Sequence, residues 1–283
     1  MKMEKVSSVK EYIERIEQIR EQNKLGHSLV FRGQGNSSWE IKSSLERDLE
    51  KTGIKSDFFF LKDYYRHIDN LKPEINSTGH HFQRNFNEKN FYLSFPDHRK
   101  ITFHDLSDIE YISYLRHHGF PTPLIDVTQS EYIALFFACE DMNEETDAKV
   151  FVFRKDFGNA GISGHPELYK IGHYIESDRR HIAQQSEYLL ALQFEIVDDH
   201  HEWVIIPFSS FKEWNNNTYT GDHCDEEDLK SQSYFEIVID GHAKKQILAE
   251  LYKMKINHYT LYLDEDSLIK KMKYEFLQKM QNN

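Results

Sequence analysis

The feature that most constrains the fold is a short apolar run at residues 29–34, which ends in Arg32, Gly33 and Gln34. Its β-branched and aromatic residues predict a buried strand. A guanidinium is rarely buried alone, so Arg32 either pairs with an internal carboxylate or offers its planar fork to a ligand's phosphate or carboxylate. Gly33 lets a second backbone or a ligand come close. The run therefore predicts a strand that ends in an internal ion pair or in a binding site.

Composition narrows the class of protein. The 283 residues are enough for one large domain or two small ones, and the formal net charge is −12. This acidic balance disfavours bulk electrostatic binding of nucleic acid. We expect no membrane span, because no run of about 18 apolar residues exists, and the charged N-terminus is unlike a signal peptide. The two cysteines, Cys139 and Cys224, lie far apart, which favours a reduced, cytoplasmic protein.

Helical and strand-like patterns mix along the chain, mostly without βαβ regularity. This predicts an α+β fold with central mixed or antiparallel sheets flanked by helices. Strands are predicted at residues 29–32, 39–41, 124–127, 149–153, 203–207, 234–239 and 259–263. Helices are predicted at residues 6–23, from 43 or 44 onward, 58–65, 106–117, 132–139 and 244–254, with a break at 73–79, an N-cap at Ser107 and a final helix capped by Ser267.

A second informative stretch spans residues 117–128. Gly119 predicts the end of a helix, and two prolines force an extended path into a short strand that contains Asp126. Asp126 either pairs with an arginine, for which Arg32 is a candidate, or faces a cleft. Thr128 and Ser130 either cap the next helix or line that cleft as well. His118 at the start of the stretch is a proton carrier, a stacking platform or a structural histidine.

A third stretch follows paired arginines and contains Gln184, Gln185 and Glu187. Residues two apart in a strand point to the same side. The spacing therefore predicts that Gln185 and Glu187 face one site together.

Two patterns superficially suggest metal binding. His80 and His81 are adjacent and do not share a helix face, and no acid or cysteine stands at ligand spacing. The acidic run at residues 225–228 lacks the spacing of a calcium-binding loop. We therefore predict no metal site.

These stretches resemble the FRG-domain family, which is named for the motif Phe31-Arg32-Gly33. Residues 117–128 resemble the family's H-Y-G-x-P-T-R-L-L-D-W-T, residues 134–138 continue it, and residues 180–188 resemble R-I-x-A-Q-Q-G-x-F. Pro123, Val127 and Ser186 depart from these patterns. The resemblance implies an FRG domain at residues 28–275 with an aromatic-rich helical insertion near 55–95, preceded by a helix within 1–27 and followed by a tail at 276–283.

A more distant resemblance is to the ADP-ribosyltransferase superfamily. There an arginine ends a first strand, a later strand carries a hydroxyl residue before a helix, and a last strand carries Gln-x-Glu. The same order occurs here and implies a split sheet that binds NAD. The resemblance implies that Arg32, Gly33, Gln34, His118, Asp126, Thr128, Ser130 and Gln184 bind the cofactor, and that Glu187, Arg32 and Gln185 are catalytic.

The sequence thus predicts an NAD-dependent ADP-ribosyltransferase-like effector that modifies a macromolecule. A bacterial toxin or phage-defence protein with an antitoxin or defence-system partner fits this prediction by resemblance. One alternative is a non-catalytic module that senses a nucleotide or a protein partner, and another is a nuclease. The transferase hypothesis requires that Arg32 and Glu187 converge on one dinucleotide-sized hollow. It also predicts that replacing either residue with alanine abolishes nicotinamide release from NAD.

Overall fold

The computed structural model describes residues 5–22, 29–54, 59–84, 86, 108–154, 166–172, 175, 179–197, 200–211 and 234–281. These residues form helices packed on one antiparallel sheet, which confirms the predicted α+β class. The predictions for Ser107, for Cys224 and for the acidic run at 225–228 fall outside the described residues.

The sheet contains eight strands within the described part of the chain. Its order is β2-β7-β6-β3-β1-β4-β8, with β5 paired to β6 off this path, and every pairing is antiparallel. The strands are β1 (Leu29–Gln34), β2 (Phe59–Phe60), β3 (Leu124–Thr128), β4 (Ala148–Arg154), β5 (Pro166–Ile171), β6 (Ser186–Val197), β7 (His200–Ile205) and β8 (Tyr234–Ile239).

Two of the helices next to the sheet begin at side-chain caps. Ser43 and Glu46 form a capping box at the start of α2, and the Ser130 hydroxyl accepts a hydrogen bond from the Ile133 amide at the start of α5. The helices are α1 (Val9–Gln22), α2 (Ser44–Thr52), α3 (Leu61–Asn76), α4 (Ile109–His117), α5 (Glu131–Cys139), α6 (Arg179–Ala183), α7 (Lys244–Lys253), α8 (His258–Tyr262) and α9 (Glu265–Gln281).

The two faces of the sheet are packed differently. On one face a single apolar cluster runs across β1, β3, β4 and β6 and includes Val30, Val127, Phe151 and Leu189. On the other face there are two separate clusters. One packs α1, α5 and α7 against β1, β4 and β8, and the other packs α3 and α4 against β3, β6 and β7.

The boundary between these two clusters lies where β1 meets β3. Only Phe31 and Thr128 are paired there, whereas β1 and β4 share six paired positions and β3 and β6 share five. β1 and β3 are therefore joined at a single position where the two helical layers meet. This gap positions the candidate site described below.

Several element predictions are wrong. Residues 39–41 are not a strand, and residues 259–263 mostly belong to α8, because the Asn257 side chain accepts from the Thr260 amide and starts a helix there. The predicted break at 73–79 begins too early, since α3 continues through Pro73 to Asn76. The cap of α9 is the Asp264 carboxylate, which accepts from the Ser267 amide.

Candidate functional site

An open cavity of about 1500 Å³ lies at the gap between β1 and β3. Its floor is formed by the ends of β1, β3 and β6, and the loop after β1, α2 and the end of α4 contribute walls. This volume exceeds the range of roughly 300–1,000 Å³ that is usual for small-ligand pockets. The cavity is therefore large enough for a ligand of dinucleotide size.

Arg32 lies at the centre of this floor. Its side chain is 17% exposed, and its Nη1 donates to the main-chain oxygen of Asp126 at 2.8 Å. The same nitrogen is 3.9 Å from an Asp126 carboxylate oxygen, which is a weak ion-pair contact. Its Nε is buried and has no hydrogen-bond partner among the described residues. Arg32 is thus a guanidinium that the protein only partly satisfies.

Asp126 is held mainly by Arg116, which the sequence reasoning did not select. Arg116 contacts both carboxylate oxygens through Nε and Nη2, and its Nη1 donates to Ser44 at 3.0 Å and to Thr122 at 3.1 Å. Such two-pronged pairs are the strong form of this interaction. The sequence did contain a sign that Arg116 could matter. Arg116 lies in the last turn of the helix that precedes Asp126, and the last turn of a helix favours cations.

The electrostatics of this cluster keep both partners charged at neutral pH. Burial tends to raise the pKa of Asp126, but the charge and hydrogen bonds of Arg116, together with the charge of Arg32, lower it to about 2. Burial lowers the pKa of Arg32 to about 10; Asp126 opposes this fall, and the positive charges of Arg116 and Arg47 add to it. Three guanidinium groups therefore act on one region of the cavity, with one carboxylate among them.

Gly33 is required by packing as well as by the cavity. A Cβ atom at this position would lie 1.9 Å from the Ala134 carbonyl oxygen and 2.7 Å from the Ala138 amide nitrogen. Helix α5 thus crosses β1 at a distance that only glycine permits. The sequence left open whether a second backbone or a ligand comes close to Gly33. The structure shows a second backbone, that of α5.

The hydroxyl and amide residues of the predicted site divide into two groups. Thr128 and Gln184 line the cavity, but the Thr128 hydroxyl donates to the Gln184 carbonyl oxygen at 2.7 Å and so ties β3 to the turn before β6. Ser130 does not line the cavity and caps α5. His118 is exposed and packs on Tyr114 with ring centroids 4.5 Å apart, away from the cavity lining.

Gln34 lies beside Arg32 on the cavity wall. Its side-chain nitrogen is 3.5 Å from the Glu40 carbonyl oxygen, and its side-chain oxygen is buried with no partner among the described residues. An unsatisfied buried acceptor next to an incompletely satisfied donor is an arrangement that a polar ligand can complete.

Glu187, unlike Arg32, does not line the cavity. Glu187 is fully buried, one carboxylate oxygen contacts the Gln129 side-chain amide, and the other lies 3.1 Å from Lys170 Nζ. Gln185 precedes β6 with φ of 47° and does not line the cavity either. Because side chains alternate along β6, it is Ser186 and Tyr188 that face the cavity.

A further wall of the cavity contains residues that the sequence reasoning did not place in the site. Glu140 accepts hydrogen bonds from the Tyr262 hydroxyl at 3.0 and 3.3 Å, and burial raises the pKa of its carboxyl group. The Arg180 guanidinium lies 4.5 Å from the centre of the Tyr262 ring, and its buried Nε has no partner in the described part of the chain. This wall offers a carboxylate and a second incompletely bonded guanidinium.

The described residues contain neither a metal-binding cluster nor a membrane-spanning helix. No group of three or more His, Cys, Asp or Glu side chains is arranged to hold a metal ion among them. None of their helices combines the length and apolar character needed to cross a membrane.

The fold and cavity define an α+β protein with a charged, ligand-sized site where β1 and β3 share only one paired position. Residues 27–147 match the family model of the FRG domain, so the chain contains an FRG domain, as the resemblance at Phe31-Arg32-Gly33 predicted. No curated protein and no solved structure matches the chain. The match contains Arg32, Arg116 and Asp126 and ends before β4, so the domain boundaries drawn at residues 27/28, 55–95 and 275/276 stay predictions.

Proposed function

We propose that the cavity binds an anionic nucleotide, with NAD as the first candidate ligand. The observation that carries the proposal is the state of Arg32, a cavity-lining guanidinium with one buried donor unpaired. Arg47, which is exposed at the cavity wall, adds a second cation beside it. A phosphate accepts hydrogen bonds from such a fork and is favoured by the local positive charge.

The other polar groups of the cavity suit the remaining parts of a nucleotide. The carboxylate of Asp126 stays ionised because of Arg116, and its side chain is 50% exposed, so it can accept hydrogen bonds from ribose hydroxyls. Glu140 offers a second acceptor on another wall. A protein that binds a nucleotide in this way corresponds to the non-catalytic sensing module that the sequence left as an alternative. NAD remains the proposed cofactor or ligand.

Calorimetric titration of the full chain with NAD tests the proposal. We expect Arg32→Gln to weaken NAD binding by at least about tenfold, since a hydrogen bond to a charged group contributes roughly 1.5–3 kcal/mol. Arg47→Gln should weaken it less, because this side chain is exposed. Arg15→Gln on the outer surface of α1 is the matched control and should change nothing.

Parallel titrations with ADP-ribose, AMP and inorganic phosphate identify the part of the ligand that Arg32 holds. If the phosphate hypothesis is right, the effect of Arg32→Gln appears with every phosphate-bearing ligand. Equal affinity of wild type and Arg32→Gln for NAD, or failure of the wild type to bind any of these ligands at millimolar concentration, contradicts the proposal.

ADP-ribosyl transfer to a macromolecule is the second candidate function. It is favoured by the adjacency of β1, β3 and β6, which bring Arg32 and Thr128 to one cavity, with Gln184 just before the Gln185-x-Glu187 pair that the distant resemblance requires. In this reaction the glycosidic bond breaks, nicotinamide leaves with the electron pair, and the acceptor forms the new bond and loses a proton. A carboxylate near the ribose would stabilise the positive charge that develops.

The position of Glu187 changes which residue is proposed for that role. Its two oxygens are engaged by Gln129 and Lys170 and it does not line the cavity, so we propose Asp126 instead, with Glu140 as the other cavity carboxylate. Release of nicotinamide from NAD, with and without cell lysate as acceptor, tests this. We expect Asp126→Asn to abolish release, whereas Glu187→Gln retains it per folded molecule.

If a correctly folded Glu187→Gln variant no longer releases nicotinamide, Glu187 becomes the catalytic carboxylate again, as the sequence predicted. A wild-type protein that binds NAD but neither releases nicotinamide nor labels protein or nucleic acid would leave the binding function as the whole activity. The cytoplasm as compartment, a macromolecular acceptor, and an antitoxin or defence-system partner remain part of this second proposal and rest on the distant resemblance alone.

A further inference from the structure

The cavity wall that contains Arg180 and Glu140 is organised by one tyrosine. The Tyr262 hydroxyl donates to the Glu140 carboxylate, at 3.0 and 3.3 Å from its two oxygens. The Arg180 guanidinium lies 4.5 Å from the centre of the same tyrosine ring. Arg180 and Glu140 both line the cavity, yet no ion pair joins them in the part of the chain that the structure describes. Tyr262 therefore holds a cation and an anion near each other without joining them.

The charge balance of this wall differs from that around Arg32. At Arg32 three guanidinium groups act with one carboxylate, which favours an anion. At Arg180 one guanidinium lies near one carboxylate, so the two charges offset each other and a phosphate gains little there. Burial raises the pKa of the Glu140 carboxyl group, whereas the Tyr262 hydrogen bond and the Arg180 charge lower it. The wall thus suits a neutral group that offers one donor and one acceptor.

An aromatic side chain completes the wall. Phe137 also lines the cavity and precedes Glu140 by three residues at the end of α5, so the two side chains lie on the same side of that helix. Its ring meets the Tyr262 ring edge to face, with centroids 6.3 Å apart. The next residue, Ala138, has its amide nitrogen 2.7 Å from where a Cβ atom of Gly33 would lie. The aromatic wall therefore adjoins the end of β1.

We propose that Arg180, Glu140 and Phe137 form a subsite for the base of the bound nucleotide, a planar heteroaromatic group that carries an N–H donor next to an acceptor atom. This subsite rests on the nucleotide-binding function proposed above and takes a part of the ligand that Arg32 does not hold. Glu140 accepts from the donor, Arg180 donates to the acceptor, and the base packs against the Phe137 ring.

Both ends of NAD carry this pattern of neighbouring donor and acceptor. Nicotinamide has a carboxamide, with an amino group and a carbonyl oxygen, and adenine has an amino group beside ring nitrogens. The chemistry of the wall is the same for the two bases, and the ligands compared below tell them apart.

Calorimetric titration of the full chain with ligands that carry or lack a base tests the subsite. The ligands are NAD, nicotinamide mononucleotide, AMP and ribose 5-phosphate, and the variants are Glu140→Gln and Arg180→Met, which roughly keep the size of each side chain. We expect each variant to weaken NAD binding by about tenfold, because each removes the charged partner of one hydrogen bond. Ribose 5-phosphate has no base and should bind each variant as tightly as it binds the wild type, which also shows that the variants are folded.

Arg179→Met is the matched control. Arg179 is the exposed neighbour of Arg180 in α6 and does not line the cavity, so this variant should bind NAD with wild-type affinity. The two mononucleotides identify the base that the wall holds. A loss with nicotinamide mononucleotide alone supports a nicotinamide subsite, and a loss with AMP alone supports an adenine subsite.

Failure of the subsite is distinguishable from failure of the proposed function. If Arg32→Gln weakens the binding of all four ligands while Glu140→Gln and Arg180→Met bind NAD like the wild type, the nucleotide site stands and the base subsite is overturned. An equal loss for NAD and ribose 5-phosphate in these two variants also overturns it, because the two residues would then not act on the base. If the wild type binds none of the four ligands at millimolar concentration, the proposed function is wrong and the subsite falls with it.

Discussion

Arg32 and Glu187 lie on strands separated only by β3, yet the protein treats their charges in opposite ways. Arg32 reaches the cavity, keeps one donor unpaired and is partly exposed. Glu187 lies beside Val127 and Leu189 of the continuous apolar cluster, does not line the cavity, and has both oxygens engaged. The comparison teaches that a polar residue near a site becomes part of it only if its side chain is left open to the cavity and is not already engaged by other residues.

The largest expected effect on stability comes from replacing Glu187, whose carboxylate is buried and fully engaged. Glu187→Ala removes a fully buried carboxylate that contacts Lys170 and the Gln129 amide, and breaking a buried pair by removing one partner costs roughly 3–5 kcal/mol of unfolding free energy. Chemical denaturation measures it. Ser186→Ala, one residue away on the cavity side, is the control and should cost less than about 1 kcal/mol. Equal stability of Glu187→Ala and wild type would mean that the pair is not structurally important.

A somewhat smaller loss is expected from the packing beneath Arg32. In Gly33→Ala the added Cβ atom would overlap the Ala134 carbonyl oxygen of α5. The helix or the strand must shift, and overpacking of this kind costs about 3 kcal/mol. Denaturant unfolding should show the loss, and calorimetric titration with NAD should show weaker binding, because the neighbouring guanidinium moves with β1.

The control for that variant is Gly53→Ala. No atom lies within 4 Å of the position where its Cβ would be built, so only the left-handed backbone, with φ of 70°, opposes the substitution. That conformational penalty is about 1 kcal/mol. If the two variants lose the same amount of stability, the close approach of α5 to β1 is not the cause of the larger loss.

The smallest expected effect is the pH dependence that Asp126, in the cavity, gives to the free energy of unfolding. Because Arg116 lowers the folded-state pKa of Asp126 below its unfolded value, this carboxylate stabilises the protein above about pH 4, and the contribution disappears as the pH falls from about 4 to about 2. The half-exposed side chain is screened by water, so we expect about 1 kcal/mol.

Unfolding free energies measured between pH 5 and pH 2 in wild type and Asp126→Asn isolate this contribution, since other carboxylates titrate in both proteins. The wild type should lose stability more steeply over this range. Parallel curves for the two proteins would show that Asp126 is not held ionised by Arg116, and the assignment of Asp126 as the charged carboxylate of the cavity would then be wrong.

Much of the fold followed from local signals in the sequence. The helix start at Ser43 or Ser44, the apolar runs of β1, β3, β4 and β8, and the Phe31-Arg32-Gly33 motif each depend on neighbouring residues, and each is observed or matched as predicted. Residues 39–41 form neither a strand nor a helix, and the error at 259–263 arose where a short aromatic segment fits a strand or a helix equally well. In the second case the cap at Asn257 decided for a helix.

The sequence by itself determined which strand ends carry polar residues and that Arg32 needs a partner, because these follow from residue type and spacing. Only the tertiary structure decided that Arg116 holds Asp126, that Glu187 does not line the cavity, and that Glu140 and Arg180 join the site. The physical reason is that these outcomes depend on the phase of each strand and on contacts between residues far apart in the chain, which no local pattern encodes.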